Sequence, residues 1–168
     1  SLVKIVEQHA NYKLNLFCPH DLQFLNRNNL FNNSVSFSFI ESHDILIEEL
    51  NKCNLLYLPL SFDKKHSSNT DALQLKTCLG TKSFDYMKSG SEILVHSPSN
   101  YYTYEFFKKN NVGFLLDNNR DGELLRKINF IFDQVNNKPF QSSDYRGVLQ
   151  SHDSKKVYAR LIKKVFDE

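Results

Sequence analysis

Thr81, Lys82 and Ser83 stand together one helical turn ahead of Asp85. Placed at the start of a helix, that set suits an anion beside a sugar. Free backbone N–H groups and an ammonium meet a phosphate there, and a carboxylate accepts hydrogen bonds from hydroxyls. The surrounding stretch, LGTKSFDYMKSGSEILVHS from Leu79 to Ser97, can supply the helix. Thr81 is placed to N-cap it, Phe84 and Met87 give it an apolar side, and Ser89-Gly90 ends it with a left-handed residue. Ile93-Leu94-Val95 then reads as a strand buried on both faces. Helix, glycine and strand recur throughout α/β proteins. Lys82 therefore also reads as a solvated lysine at a helix start, and Asp85 as the partner of Lys82 or Lys88 at helical spacing.

The rest of the chain supplies the frame. Leu2, Ile5, Val6 and His9 predict an amphipathic helix over 2–10, and Lys13 to Cys18 a strand stopped by Pro19. A helix over 20–29 carries Leu22 and Leu25, and Val35 to Ile40 alternates as a second strand. Ser42 N-caps a helix that turns Ile45, Leu46 and Leu50 inward. Leu55 to Leu60 is apolar throughout, which predicts a central strand. Ser61 to Thr70 is a long polar loop, followed by a short helical segment over 70–79. After Ser97 come a turn at Pro98-Ser99-Asn100, a helix from Tyr101 to Lys109 closed by Asn110-Asn111, and a strand over Val112 to Leu116. Asp121 caps a helix with Leu124, Leu125, Ile128, Ile131 and Phe132 inside, and a last helix is expected around Ser154–Phe166. Strands alternating with helices give a parallel sheet covered on both faces, a three-layer α/β/α arrangement of Rossmann-like kind. Ligands in such sheets bind beyond the carboxyl ends of the strands. By topology the candidate loops are Ile40–Asp44, Ser61–Thr70 and Ser97–Tyr101, with Gly80–Ser83 brought alongside.

Composition narrows the classes. The 168 residues carry 40% hydrophobic and 13% aromatic side chains, enough for a packed core in one domain, 1–168, with a helical tail from about 141. A net charge of +2 does not demand nucleic acid, although Lys155, Lys156, Arg160, Lys163 and Lys164 make the tail locally basic. Cys18, Cys53 and Cys78 are widely spaced with no CxxC, which indicates neither a zinc site nor a disulfide framework but reduced thiols in a cytoplasmic protein. His20, His43, His66 and His96 match no metal-ligand spacing and read as ordinary surface or core histidines. No apolar run has the length of a membrane span, so a soluble protein is expected. The abrupt start at Ser1-Leu2 suggests a piece of something longer.

The stretch around Lys82 resembles the donor-side signature of GT-B glycosyltransferases, P-(S/T)-K-x-x-E-Y-x-x-x-G-x-P-(I/V)-(I/V). Thr81, Lys82, Asp85, Tyr86, Gly90, Ile93 and Leu94 fall on it. Asp85 stands where a glutamate is usual, Glu92 where a proline is common, and Gly80 takes the place of the leading proline. Leu58-Pro59-Leu60-Ser61 resembles the preceding strand end, and Val112-Gly113-Phe114 the strand that begins with a glycine. The likeness covers roughly residues 2–135 in the order of elements, the C-terminal half of such an enzyme.

That resemblance implies a donor site for a nucleotide-diphosphate sugar. Thr81, Lys82 and Ser83 would hold the diphosphate, and Asp85 would accept the ribose hydroxyls. Ile40 and Ser42 would lie beside the nucleobase, with Ser61 also among the donor-binding residues. It implies a hexosyltransferase-type reaction onto a hydroxyl acceptor in polysaccharide, lipopolysaccharide or glycoconjugate synthesis, with no cofactor and no metal. The acceptor, a saccharide or lipid-linked sugar, and the catalytic base would belong to an N-terminal domain that precedes Ser1. No catalytic residue is assigned within the chain, and the isolated chain is expected to be inactive. A lipid-linked acceptor would bring peripheral contact with the inner face of the membrane; nucleic acid is not an expected partner. Many retaining members carry a second glutamate at the position of Thr77, so retention does not follow; Asp63 is a weaker substitute. The competing expectation is a non-enzymatic module of flavodoxin- or receiver-like architecture. A receiver needs an acidic cluster, and Asp21 and Asp63 supply only single aspartates at the strand ends.

Overall fold

Ile93, Leu94 and Val95 have no polar side chain to keep in water, and each is completely buried. They form the middle of a three-stranded parallel sheet. In the computed structural model the described residues are 2, 3, 6, 11–18, 34–62, 76–137 and 143–153. The helix expected over 20–29, Asp63, most of the 61–70 loop and the last helix at 154–166 lie outside them. Leu2, Val3 and Val6 are helical, within the helix expected over 2–10, while Ile5 and His9 lie outside the described residues. The chain divides into two units, Ser1–Leu46 and Ile47–Glu168.

In the first unit β1 (Leu14–Phe17) and β2 (Val35–Ser38) pair in parallel, Leu14 opposite Val35 and Phe17 opposite Ser38. Ser36 Oγ donates to Asn15 Oδ1 at 2.6 Å across the pair. Ser42 opens α1 (His43–Asn51), as expected, and from Ile47 onward this helix belongs to the second unit: the Ser42 carbonyl accepts from Leu46 N at 2.9 Å, and its Oγ lies 3.5 Å from Ile45 N. Ile45 does not turn inward; it is 52% exposed. Leu46 and Leu50 are covered as expected, and Ile47 is covered in place of Ile45.

The second unit holds β3 (Leu55–Pro59), α2 (Ser83–Ser89), β4 (Glu92–His96), α3 (Tyr102–Asn110), β5 (Phe114–Leu116), α4 (Asp121–Asn137) and α5 (Ser143–Ser151). Its strands run parallel in the order β3-β4-β5, with Leu55 opposite Glu92 and Leu94 opposite Phe114. The central strand is thus β4. The apolar run of β3, expected to be central, lies beside it, with no second strand partner among the described residues. Only Leu56 and Leu58 of β3 are buried, one face of a strand. The chain is therefore a mixed α/β protein built on parallel sheets.

Helix ends follow local chemistry. Gly90 closes α2 at φ +78°, the left-handed conformation that favours glycine, and its N–H donates to Met87 O. Asn111 does the same for α3 at φ +52°, with N–H bonds to Lys108 and Phe107 carbonyls. Asp121 is not a cap: it is the first residue of α4, and Arg120 O accepts from Glu123 and Leu124. Leu124, Ile128 and Ile131 of α4 are buried, while Leu125 and Phe132 are half-buried. Helix α5 packs on α2 with Tyr145 fully buried, and the His152 ring beyond it lies 5.1 Å from Phe106 and 6.2 Å from Phe84. Among the described residues no helix is long and apolar enough to cross a membrane.

Candidate functional site

Parallel strands direct their carboxyl ends to one edge, and in the second unit the loops leaving that edge meet the start of α2. Gly80 N–H donates to Thr103 Oγ1 at 2.9 Å, which pins the entry of α2 to the first turn of α3. The space beside Gly80 would take a Cβ in ordinary contact. A Cβ would come 3.4 Å from Ser83 Oγ and 3.7 Å from Thr103 Oγ1. The segment Gly80–Ser83 thus lies beside the helix that follows Ser97–Tyr101.

Helix α2 starts later than its sequence suggests. Gly80 O accepts from Ser83 N at 2.9 Å, so Thr81 and Lys82 occupy the centre of a turn. Lys82 takes the cap position in helical conformation, and no side chain caps the end. Thr81 is therefore not the N-cap. Both Thr81 and Lys82 are exposed, and their side chains are the ones available to a solute. Ser83 points the other way. It is completely buried, and among the described residues its Oγ has no hydrogen-bond partner. Asp85 is half-buried and lies 3.9 Å from Lys88 Nζ, an i,i+3 pair in which Lys88 rather than Lys82 is the partner.

Ser61 is exposed just past β3, at the same edge. Ile40 and Ser42 belong to the first unit, beyond the end of β2: Ile40 is half-buried, and Ser42 is exposed with its hydroxyl turned toward the start of α1. Of the expected site residues, Ser61, Thr81, Lys82, Ser83 and Asp85 belong to the second unit.

One group at this edge had no signal in residue spacing. His96 ends β4, 5% exposed. Its Nε2 lies 2.8 Å from the Asn118 carbonyl and its Nδ1 2.5 Å from Tyr57 Oη. The Phe62 ring packs against it with centroids 4.8 Å apart. Burial holds the His96 imidazole below its ordinary value of 6.5, against an opposing effect of the Asn118 carbonyl. Burial, with a smaller contribution from the Asp121 carboxylate, pushes the Tyr57 phenol up to about 12. Of the two expectations for position 96, surface or core, the structure gives the core one; only the fold shows that it stands at the carboxyl edge of the sheet.

Among the described residues no group of three or more His, Cys, Asp or Glu could hold a metal ion. Cys18 and Cys53 are half-buried thiols and Cys78 is an exposed one. What the edge offers chemically is an exposed ammonium and hydroxyl at a turn, a nearby carboxylate and a neutral imidazole–phenol pair. Compared with known protein families, curated proteins and solved structures, the chain matches none.

Proposed function

We propose that this chain is the nucleotide-sugar donor-binding half of a GT-B-type glycosyltransferase, with a Rossmann-like three-layer architecture. The observation that carries the reading is the turn Gly80–Ser83. It is pinned by Thr103 at the carboxyl edge of the parallel sheet, with Thr81 and Lys82 facing solvent. The diphosphate would sit on that turn. Charge growing on the leaving group as the sugar departs would be met by the Lys82 ammonium. Asp85 would exchange its loose contact with Lys88 for hydrogen bonds from ribose hydroxyls. Ser83, turned inward, contributes to the shape of the turn. The acceptor and the catalytic base would come from a separate domain, so the role of this chain is to hold the donor and its leaving group.

The test is a thermal-shift and calorimetric titration with UDP, GDP, ADP and CMP. A ligand at a hundred times its Kd stabilises by about 2.7 kcal/mol, which for a chain of this size raises Tm by about 5–10 °C. One nucleotide should produce that shift, and both Lys82→Ala and Asp85→Ala should lose it. No shift with any nucleotide, or a shift that survives both substitutions, refutes the proposed site.

A further inference from the structure

The proposed donor site sets one ammonium, that of Lys82, against a diphosphate, which carries more negative charge than a single cation offsets. A second cation stands at the same edge. Arg120, in the loop between β5 and α4, is exposed, yet its side chain is already held. Asn118 Oδ1 accepts from Arg120 N at 2.9 Å and from Arg120 Nε at 3.0 Å. Asn118 is fixed in turn, because its carbonyl accepts from His96 Nε2 at 2.8 Å. His96 is 5% exposed, bonded through Nδ1 to Tyr57 Oη and packed against Phe62. An exposed arginine is thus anchored, through one asparagine, to a buried histidine at the end of the central strand.

Asp117 and Asp121 flank Arg120 closely in sequence, but among the described residues it forms an ion pair with neither. Lys88, Lys108 and Arg126, by contrast, each face a carboxylate one turn away on their own helix. With Nε taken up by Asn118, the Nη1–Nη2 edge of the Arg120 fork remains for a ligand. That edge meets a phosphate through paired hydrogen bonds. Lys82 and Arg120 are also fastened to one piece of backbone. Thr103 accepts from Gly80 N–H and holds the Lys82 turn, while His96 holds the Arg120 loop. The segment His96–Thr103 is the one that leaves β4 at the carboxyl edge, where α/β sheets bind ligands. We propose that Arg120 is a second phosphate-binding residue, meeting the donor diphosphate from the β5 side, and that Asn118 is its positioning residue. A guanidinium ordered before the ligand arrives loses less freedom on binding. The inference rests on the donor-site reading.

Calorimetric titration of the whole chain with UDP, GDP, ADP and inorganic pyrophosphate tests it. Arg120→Ala should weaken the nucleoside diphosphate that binds, and pyrophosphate with it, by about tenfold or more. The free variant should unfold at the wild-type urea midpoint, since the side chain is exposed. Asn118→Ala keeps the carbonyl that meets His96 and removes only Oδ1, so it should weaken both ligands by about threefold. Added to Arg120→Ala, the same change should have no further effect, a result that a merely structural role of Asn118 would not produce. Binding that is lost in Lys82→Ala but unchanged in Arg120→Ala overturns this inference and leaves the donor site standing. Binding of none of the diphosphates overturns both. Additive losses for the two substitutions reject the positioning role of Asn118. If Asn118→Ala does not fold, Arg120→Ala decides alone.

Discussion

Replacing Gly113 by alanine should be the most damaging single-methyl change in the second unit. Gly113 precedes β5 at φ +67°, a conformation that costs an L-residue about 1–2 kcal/mol. The added Cβ would also stand 3.0 Å from the Ile93 carbonyl oxygen and 3.2 Å from Phe107 Cδ1. Neither neighbour can give way easily, since Ile93 lies in the central strand and the Phe107 ring is completely buried. Overpacking of this kind adds about 1–2 kcal/mol. The total, about 2–4 kcal/mol, is a large share of the roughly 5–15 kcal/mol that holds a domain together. Urea unfolding followed by circular dichroism should show a lower midpoint with an unchanged slope, and Tm should fall by about 5–15 °C. Gly147→Ala is the control with the opposite sign. It lies inside α5 with nothing within 4 Å of the position an added Cβ would take, and should stabilise by about 0.5–1 kcal/mol. A loss below about 1 kcal/mol for Gly113→Ala would refute the backbone conformation argued for the start of β5.

Ser83→Ala removes a buried hydroxyl that has no partner among the described residues, so it should be neutral or stabilising by up to about 1 kcal/mol. The nucleotide-induced shift should survive it; destabilisation in urea melts would show that the hydroxyl is hydrogen-bonded after all. Tyr57 holds its proton to about 12 when folded, against 10.0 ordinarily, so its contribution is complete below pH 10 and is lost as pH rises toward 12. That loss should come to about 1 kcal/mol once solvent screening of a half-buried phenol is allowed for. Absorbance titration should show a late phenolate that Tyr57→Phe removes. Lys82→Ala should leave the free energy of unfolding in urea within about 0.5 kcal/mol of wild type, as expected for an exposed side chain. That result would separate its effect on nucleotide binding from any effect on folding.

What could be read from the chain was whatever rests on local covalent character. The run Ile93-Leu94-Val95 reads as a buried strand, and Gly90 and Asn111 close helices because each tolerates the left-handed conformation a helix end needs. Strand order is a different matter. The apolar run at Leu55–Leu60 is as hydrophobic as β4, yet among the described residues only β4 has strands on both sides, and pairing is not encoded in either segment alone. Ile45 misleads because Ile45, Leu46, Ile47 and Leu50 form an apolar arc wider than the face that becomes covered. Thr81 and Asp121 have the chemistry of caps. In each case a turn one or two residues away, at Gly80–Ser83 and at Asn118–Arg120, sets where the helix begins. Helix α5 is hard to read although Tyr145, Val148 and Leu149 share a helical face, because Gly147 and the polar residues around it mask the period. The contacts of His96 with Tyr57, Phe62 and Asn118 join residues distant from it in sequence, which meet only once three strands are aligned.

The depth of β4 has a consequence for how the sheet avoids error. A strand with one wet face is punished for sliding by a single position, because every side chain then changes sides. Ile93, Leu94 and Val95 are all completely enclosed, so a slipped β4 would still present oil to oil. Discrimination must come from the polar atoms at its two ends. Ser91 Oγ donates to the Leu50 carbonyl at 2.8 Å before the strand begins, and His96 meets Tyr57 where it stops. A slip of one place forfeits both. In this core the hydrophobic residues supply cohesion, and two hydrogen-bonding side chains act as its alignment marks.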